Sequence, residues 1–153
     1  MNHHPQTDRI EAIFDLRAPL DRVWRAVSDH REFGQWFRVA IDKPFEKEVV
    51  STGYMLATGY ERLPWRATVA TIQPMKRFAY TWHPYAVDPK KDYEDEIPTL
   101  VEFVLSEIPE GTRVVIRESG FDMIPAARRA SAFAKNTQGW SIQQDNLRRH
   151  VEG

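Results

Sequence analysis

Glu118 is the residue in this sequence that points most directly to chemistry. It follows Val114 and Ile116 at every second position, the spacing of one face of a strand, so its carboxylate should turn with them toward the buried side. A carboxyl group held there has a raised pKa and can act as general acid or base on a bound carbonyl compound. Tyr80 or His83 would be its partner in a cyclase or lyase reaction. The bland alternatives are an ion pair with Arg117 or Arg128, or exposure at the strand end, and the run Val114-Val115-Ile116 leaves the facing open. Glu118 is the leading catalytic candidate.

The second group is aromatic: Trp36, Phe78, Tyr80, Trp82, Phe103, Phe121, Phe133 and Trp140. Aromatic walls with few polar groups suit apolar ligands, although large side chains at regular spacing also simply fill cores. Tyr80, Trp82 and Trp140 stand out because each brings a donor that needs a partner when buried, and a ligand could supply it. With Glu118, and with Thr137 and Gln144 from the last helix, these residues form the candidate ligand-binding set. A third group, His83, Asp88, Asp92 and Glu94, follows no metal-ligand spacing and reads as a solvated loop. His3 and His4 read as part of a disordered tail over residues 1–8 rather than a metal site. No metal or cofactor is expected. Nothing resembles a nucleophile elbow, a phosphate-binding loop or a dinucleotide fingerprint, so an enzyme here would work by cavity chemistry alone.

The elements that must position these residues follow from periodicity. Ile10, Ala12, Phe14 and Leu16 alternate with charged residues over 9–17, as in a half-buried strand. Pro19 starts a helix that buries Val23, Trp24 and Val27, and Ser28-Asp29 can cap a second short helix through Phe37. Turn signals at Lys43-Pro44, Thr52-Gly53, Gly59 and Leu63-Pro64 divide the next stretch into strands near 39–49, 54–60 and 65–73. Phe78, Tyr80 and Trp82 share one face of a strand over 77–83. Residues 83–98 have neither period and form a long loop, of a kind that is often functional. A hairpin through Pro109-Glu110-Gly111 joins strands over 99–107 and 112–119. Over 122–151, Ala126, Ala130, Phe133, Thr137, Trp140, Gln144, Leu147 and Val151 recur at steps of three and four, a single stripe on one long helix. About 26 residues at roughly 1.5 Å each make a rod nearly 40 Å long, about the width of a small domain. The rest of the chain should wrap it.

Composition sets the outer limits. The 153 residues fit one domain spanning 1–153. With 21 Lys plus Arg against 22 Asp plus Glu, the formal charge of −1 gives no electrostatic reason to expect nucleic acid or an anionic membrane as partner. The absence of cysteine removes thiolate chemistry and fits a reducing compartment. The N-terminal residues lack the apolar core of a signal peptide, and no run is long enough for a membrane span, which makes the cytoplasm the default location.

Ala18-Pro19 followed by Val23-Trp24 and Ala26, the pair Trp36-Phe37, and Arg77-Phe78 to Tyr80-Thr81-Trp82 occur in order. Gly111-Thr112-Arg113, Glu118-Ser119-Gly120-Phe121 and Gly139-Trp140 ahead of Leu147 complete the series. In order and spacing, across roughly residues 10 to 151, this series resembles the START/Bet v 1-like (SRPBCC) helix-grip superfamily, in the branch named after the activator of the Hsp90 ATPase. The resemblance implies an α+β fold, with a curved antiparallel sheet gripping a C-terminal helix, two short helices after the first strand, and an apolar cavity between sheet and helix. Members of this superfamily include lipid carriers, hormone receptors, polyketide cyclases and co-chaperone domains, so fold alone does not choose among them. Two features depart from the pattern. Thr137 and Gln144 place polar groups where the seam is usually aliphatic, and Phe45-Glu46-Lys47-Glu48 turns without paired glycines. The leading expectation is binding of an apolar or aromatic small molecule. An acid/base enzyme and a chaperone ATPase-interacting module are the alternatives, and a homodimer stays open.

Overall fold

A computed structural model describes residues 8–88 and 90–153. Seven strands, β1 (Arg9–Leu16), β2 (Val39–Ile41), β3 (Val50–Met55), β4 (Pro64–Gln73), β5 (Arg77–Trp82), β6 (Thr99–Ile108) and β7 (Gly111–Ser119), form one sheet in the order β1-β7-β6-β5-β4-β3-β2. Every neighbouring pair is antiparallel. Two short helices, α1 (Leu20–Ser28) and α2 (His30–Phe37), follow β1, and the long α3 (Ala126–Glu152) follows β7 through a 3-10 turn at Phe121–Met123. This is the expected α+β helix-grip layout.

Local chemistry accounts for the helix boundaries. Asp29 sits in extended geometry between α1 and α2, and its carboxylate accepts the backbone N–H groups of Arg31 at 2.8 Å and Glu32 at 3.2 Å, satisfying two of the donors a helix start leaves free. Arg38 ends α2 in the left-handed region at φ 71° and bonds back to the Gly34 carbonyl at 3.0 Å. The helical layer is then fastened by charge. Arg22, Arg25 and His150 converge on the Glu32 carboxylate at 2.7 to 2.9 Å, joining both short helices to the end of α3. Burial pushes the Glu32 carboxyl up, but the His150 and arginine hydrogen bonds outweigh it and leave the group below its ordinary range.

Three sequence expectations are displaced. The strand read over 39–49 stops at Ile41, and the one read over 54–60 lies at Val50–Met55. Pro44 has no N–H for a ladder, Glu48 takes a left-handed φ of 68°, and its N–H meets the Val69 carbonyl of β4 at 2.7 Å. The pairing of Val39 with Met55 and Ile41 with Gly53 fixes the register of that hairpin. A Cβ on Gly53 would lie 1.9 Å from the Ala40 carbonyl oxygen, so only glycine permits this approach. The tail read over 1–8 lies outside the described residues except for Asp8, which accepts the backbone N–H groups of Gly120 and Asp122.

The third displacement matters most. α3 begins at Ala126 rather than 122, because Phe121–Met123 winds as a 3-10 turn and Pro125 precedes the helix. Its inner face carries Ala132, Asn136, Trp140, Gln143 and Leu147, whereas Ala126, Ala130 and Thr137 are exposed. Apolar periodicity counts alanine as buried and asparagine as exposed, and here hydrogen bonds from Asn136, Trp140 and Gln143 to the rest of the protein set the rotation instead.

The core between sheet and helices is aromatic. Phe33 of α2 stands at its centre, 4.8 Å from Phe37, 5.0 Å from Trp36 and 5.7 Å from Trp65 between ring centroids, with Phe78, Tyr80 and Phe103 behind. Edge-to-face and stacked geometries of this kind add to area burial. The indole N–H groups of Trp36 and Trp65 are spent internally, on the Ala26 carbonyl and the Ser51 hydroxyl.

Candidate functional site

Glu118 faces the helix side, as its spacing with Val114 and Ile116 predicts, and it has no exposed surface. One carboxylate oxygen accepts the Trp82 indole N–H at 2.8 Å and the Thr99 hydroxyl at 2.5 Å. The other accepts the Asn136 amide at 2.8 Å and the Trp140 indole N–H at 2.7 Å. All four donors are neutral. Arg117 pairs with Glu11 and Glu102 and Arg128 with Glu96, so neither argument for a structural ion pair holds. Burial pushes the Glu118 carboxyl above its ordinary value, and the four hydrogen bonds, Thr99 foremost, offset part of that.

Trp82, Asn136 and Trp140 bridge this buried charge to a cleft of about 410 Å³. The cleft lies where α2 ends, between the 55–66 turn of the sheet, the loop after β5 and the middle of α3. Phe37, Trp65, Trp82 and Trp140 supply its apolar wall, Tyr60, Tyr85 and Tyr93 its mouth. Gly139 stands in the helical wall one residue before Trp140, and a Cβ placed there would meet nothing within 4 Å.

The residues expected to bind a ligand therefore divide. Trp82 and Trp140 line the cleft, and Glu118 holds both from behind. Trp36, Phe78, Tyr80 and Phe103 lie in the packed core with at most 3% exposure, and Phe121 and Phe133 pair with each other 5.2 Å apart toward the start of α3. Gln144 is half-buried outside the cleft wall. Thr137 is exposed and returns its hydroxyl to the Phe133 carbonyl at 2.8 Å. It does not bring a polar atom to the cavity, because the rotation of α3 gives that place to Asn136. Tyr80 keeps the unpartnered hydroxyl that sequence reasoning assigned to three residues. Its phenol has no hydrogen-bond partner among the described residues and is pushed well above its ordinary pKa by burial and then by the Glu118 charge.

Sequence reasoning missed Phe37, Trp65, Asn136 and Gly139. Asn136 lies one helical turn before Trp140, a spacing that puts both on one face. Gly139 had a plainer signal, since a glycine inside a long helix costs about 1 kcal/mol relative to alanine and calls for a reason.

The long loop is fastened to α3. Arg128 donates to both oxygens of Glu96 at 2.6 to 3.0 Å and to the Pro84 and Tyr85 carbonyls, and its guanidinium lies 4.8 Å from the Tyr93 ring. The Arg128 hydrogen bond, helped by Lys91, holds the Glu96 carboxyl below its ordinary range. Asp88 and Asp92 each accept the N–H two residues on, closing local turns. His83 Nε2 lies 2.9 Å from the Glu96 carbonyl oxygen. Among the described residues no group of three or more His, Asp or Glu side chains is placed to hold a metal, and no helix is long and apolar enough to cross a membrane.

A curved antiparallel sheet closed around one long helix, with a cleft opening between them, defines a helix-grip protein. Residues 17–152 match the family described as activator of Hsp90 ATPase homolog 1-like protein, and the chain belongs to that family, within the SRPBCC superfamily. Similar solved structures include a Mesorhizobium loti protein at 19% identity and TM-score 0.73, covering 94% of this chain and 96% of that one. A Chromobacterium violaceum protein matches at 19% identity and TM-score 0.71, covering 95% and 99%. DynU16, from the dynemicin biosynthetic locus, matches at 23% identity and TM-score 0.72 over 95% of this chain, which spans 47% of DynU16. No curated protein matches by sequence. These likenesses establish the fold.

Proposed function

We propose that this protein binds an apolar or aromatic small molecule non-covalently in the cleft beside the middle of α3. Gly139 carries the reading. It weakens the helix at its centre, no neighbour requires it for close approach, and it leaves room between Trp82, Trp140 and the tyrosines of the mouth. About 410 Å³ falls within the usual range for small-molecule pockets. Aromatic walls with a few polar atoms favour flat, largely apolar ligands.

The enzyme alternative has less support. Glu118 has no exposed surface and both its oxygens are fully engaged, so a substrate could reach it only by displacing Trp82, Trp140 or Asn136. Its role is to fix those side chains. The chaperone ATPase reading rests on the family's name alone.

Thermal-shift and native mass measurements against a diverse library of apolar and aromatic compounds test the proposal. A subset of flat aromatic compounds should raise the midpoint of wild type and lose that effect in Gly139→Leu, which fills the open space. Uniform failure of the library, or hits indifferent to Gly139→Leu, would refute it.

A further inference from the structure

We infer that His83 is the polar anchor of the cleft, accepting a hydrogen bond from a hydroxyl on an aromatic ligand. The inference rests on the binding reading above and narrows the ligand to a hydroxylated aromatic, phenolic or enolic.

The argument starts from the tautomer. His83 Nε2 lies 2.9 Å from the backbone carbonyl oxygen of Glu96, and a carbonyl oxygen can only accept, so Nε2 carries the proton. In the neutral ring Nδ1 is then an unprotonated acceptor. No described residue bonds to Nδ1, and it is not among the buried polar atoms left without a partner, so this lone pair is open. His83 lines the cleft directly after Trp82. The ring is also held in place: the Glu96 residue that orients it is clamped to α3 by Arg128.

The donors of the inner wall are already committed. Asn136 donates to Glu118 and Gln143 donates to the Phe37 carbonyl, while both cleft indoles donate to Glu118. Gln143 Oε1 is taken by Asn146, which leaves His83 Nδ1 and the Asn136 amide oxygen as the acceptors of the inner wall without a partner among the described residues. A ligand hydroxyl entering between Trp82 and Gly139 finds its partner at Nδ1, and one matched polar contact in an apolar pocket is what sets orientation.

The test compares a naphthol with its methyl ether, two probes of the same ring system, one able to donate and one not. Calorimetric titration of the full chain should show the naphthol binding about fivefold or more tightly, the worth of one ordinary hydrogen bond. In His83→Phe that preference should vanish while affinity for the ether stays within about twofold, since an apolar contact of similar size replaces the ring. His83→Gln, which retains an N–H for the Glu96 carbonyl, controls for loosening of the loop and should bind the ether as wild type does. NMR of the imidazole nitrogens reports independently of any variant. With the ring neutral, the Nδ1 resonance should move on addition of the naphthol but not of the ether. Equal affinity of the two probes, a preference that survives in His83→Phe, or an unmoved Nδ1 resonance overturns the assignment of His83 and leaves the cleft reading standing. Failure of both probes to bind overturns both.

Discussion

Replacing Gly139 with alanine separates a ligand cleft from an unremarkable surface groove. The residue lies in the interior of α3 with helical backbone geometry, and an added Cβ meets no atom within 4 Å. The substitution therefore carries no steric penalty. Alanine is favoured over glycine inside a helix by about 0.8–1.0 kcal/mol. For a domain of this size that raises the thermal midpoint by roughly 2–4 °C. Function should move the other way, because the methyl group occupies space beside Trp140. Gly139→Ala should be more stable and bind aromatic ligands more weakly, and Gly139→Leu should bind them weaker still. Differential scanning calorimetry on the free proteins and titration with a library hit measure both quantities. A midpoint that is unchanged or lowered would mean the space beside Gly139 is not open. A higher midpoint with undiminished binding would mean that the ligand lies elsewhere.

Three further outcomes are expected. Tyr80→Phe removes a buried hydroxyl that has no partner among the described residues while keeping the ring, so urea denaturation should find the variant as stable as wild type or up to about 1 kcal/mol more so. Arg128→Met frees Glu96 and the Pro84 and Tyr85 carbonyls; it should cost about 1–3 kcal/mol and speed backbone hydrogen exchange in 83–88 and 90–98 relative to β6 and β7. Glu118→Gln leaves donors of the wall facing an amide nitrogen and should destabilise by about 2–4 kcal/mol at neutral pH. The same variant carries a pH signature. Because the folded Glu118 binds its proton more tightly than the ordinary carboxyl at 4.5, the folded state holds more protons just above that pH, and wild type loses stability as pH rises through the window. Glu118→Gln should remove that slope. Glu32 and Glu96, both lowered, act in the opposite sense, contributing stability above 4.5 that is lost on acidification, and a scan of thermal midpoint against pH would resolve the two trends.

The fold was legible because its signals are local. Alternation marked β1, β5 and β7, Pro19 and Asp29 marked the short helices, and the turn at Pro109-Glu110-Gly111 marked the last hairpin. The stretch from 39 to 63 was read poorly because its strands are short and its turns bend through residues such as Glu48 and Arg62, whose left-handed geometry leaves no trace in residue type. The site was half legible. Strand alternation correctly turned Glu118, Tyr80 and Trp82 inward, but it could not tell a core wall from a cleft wall, since Phe78 and Trp82 share one face of one strand. Phe37 and Trp65, far apart in sequence, meet Trp82 and Trp140 only through the sheet's curvature. The rotation of α3 was misread for a similar reason: a hydrogen bond to Glu118 decides it, and no periodicity of apolar residues records that bond.

That hydrogen bond changes what Glu118 is for. A buried carboxylate without a cation is costly, and its usual explanation is chemistry. Here the four donors come from β5, the start of β6 and two turns of α3, so the charge ties the helix to the sheet at the point where the cleft opens. Each indole held this way presents its ring face or edge to the cleft in a fixed orientation, and a preformed wall spares a ligand the cost of ordering it. Removing the carboxylate should then weaken ligand binding even though no ligand atom touches it. Glu118→Gln should reduce affinity through a faster dissociation rate, with the Trp82 and Trp140 indole N–H resonances broadened or shifted in the free protein. An unchanged affinity alongside the expected loss of stability would show that the wall does not depend on its buried charge.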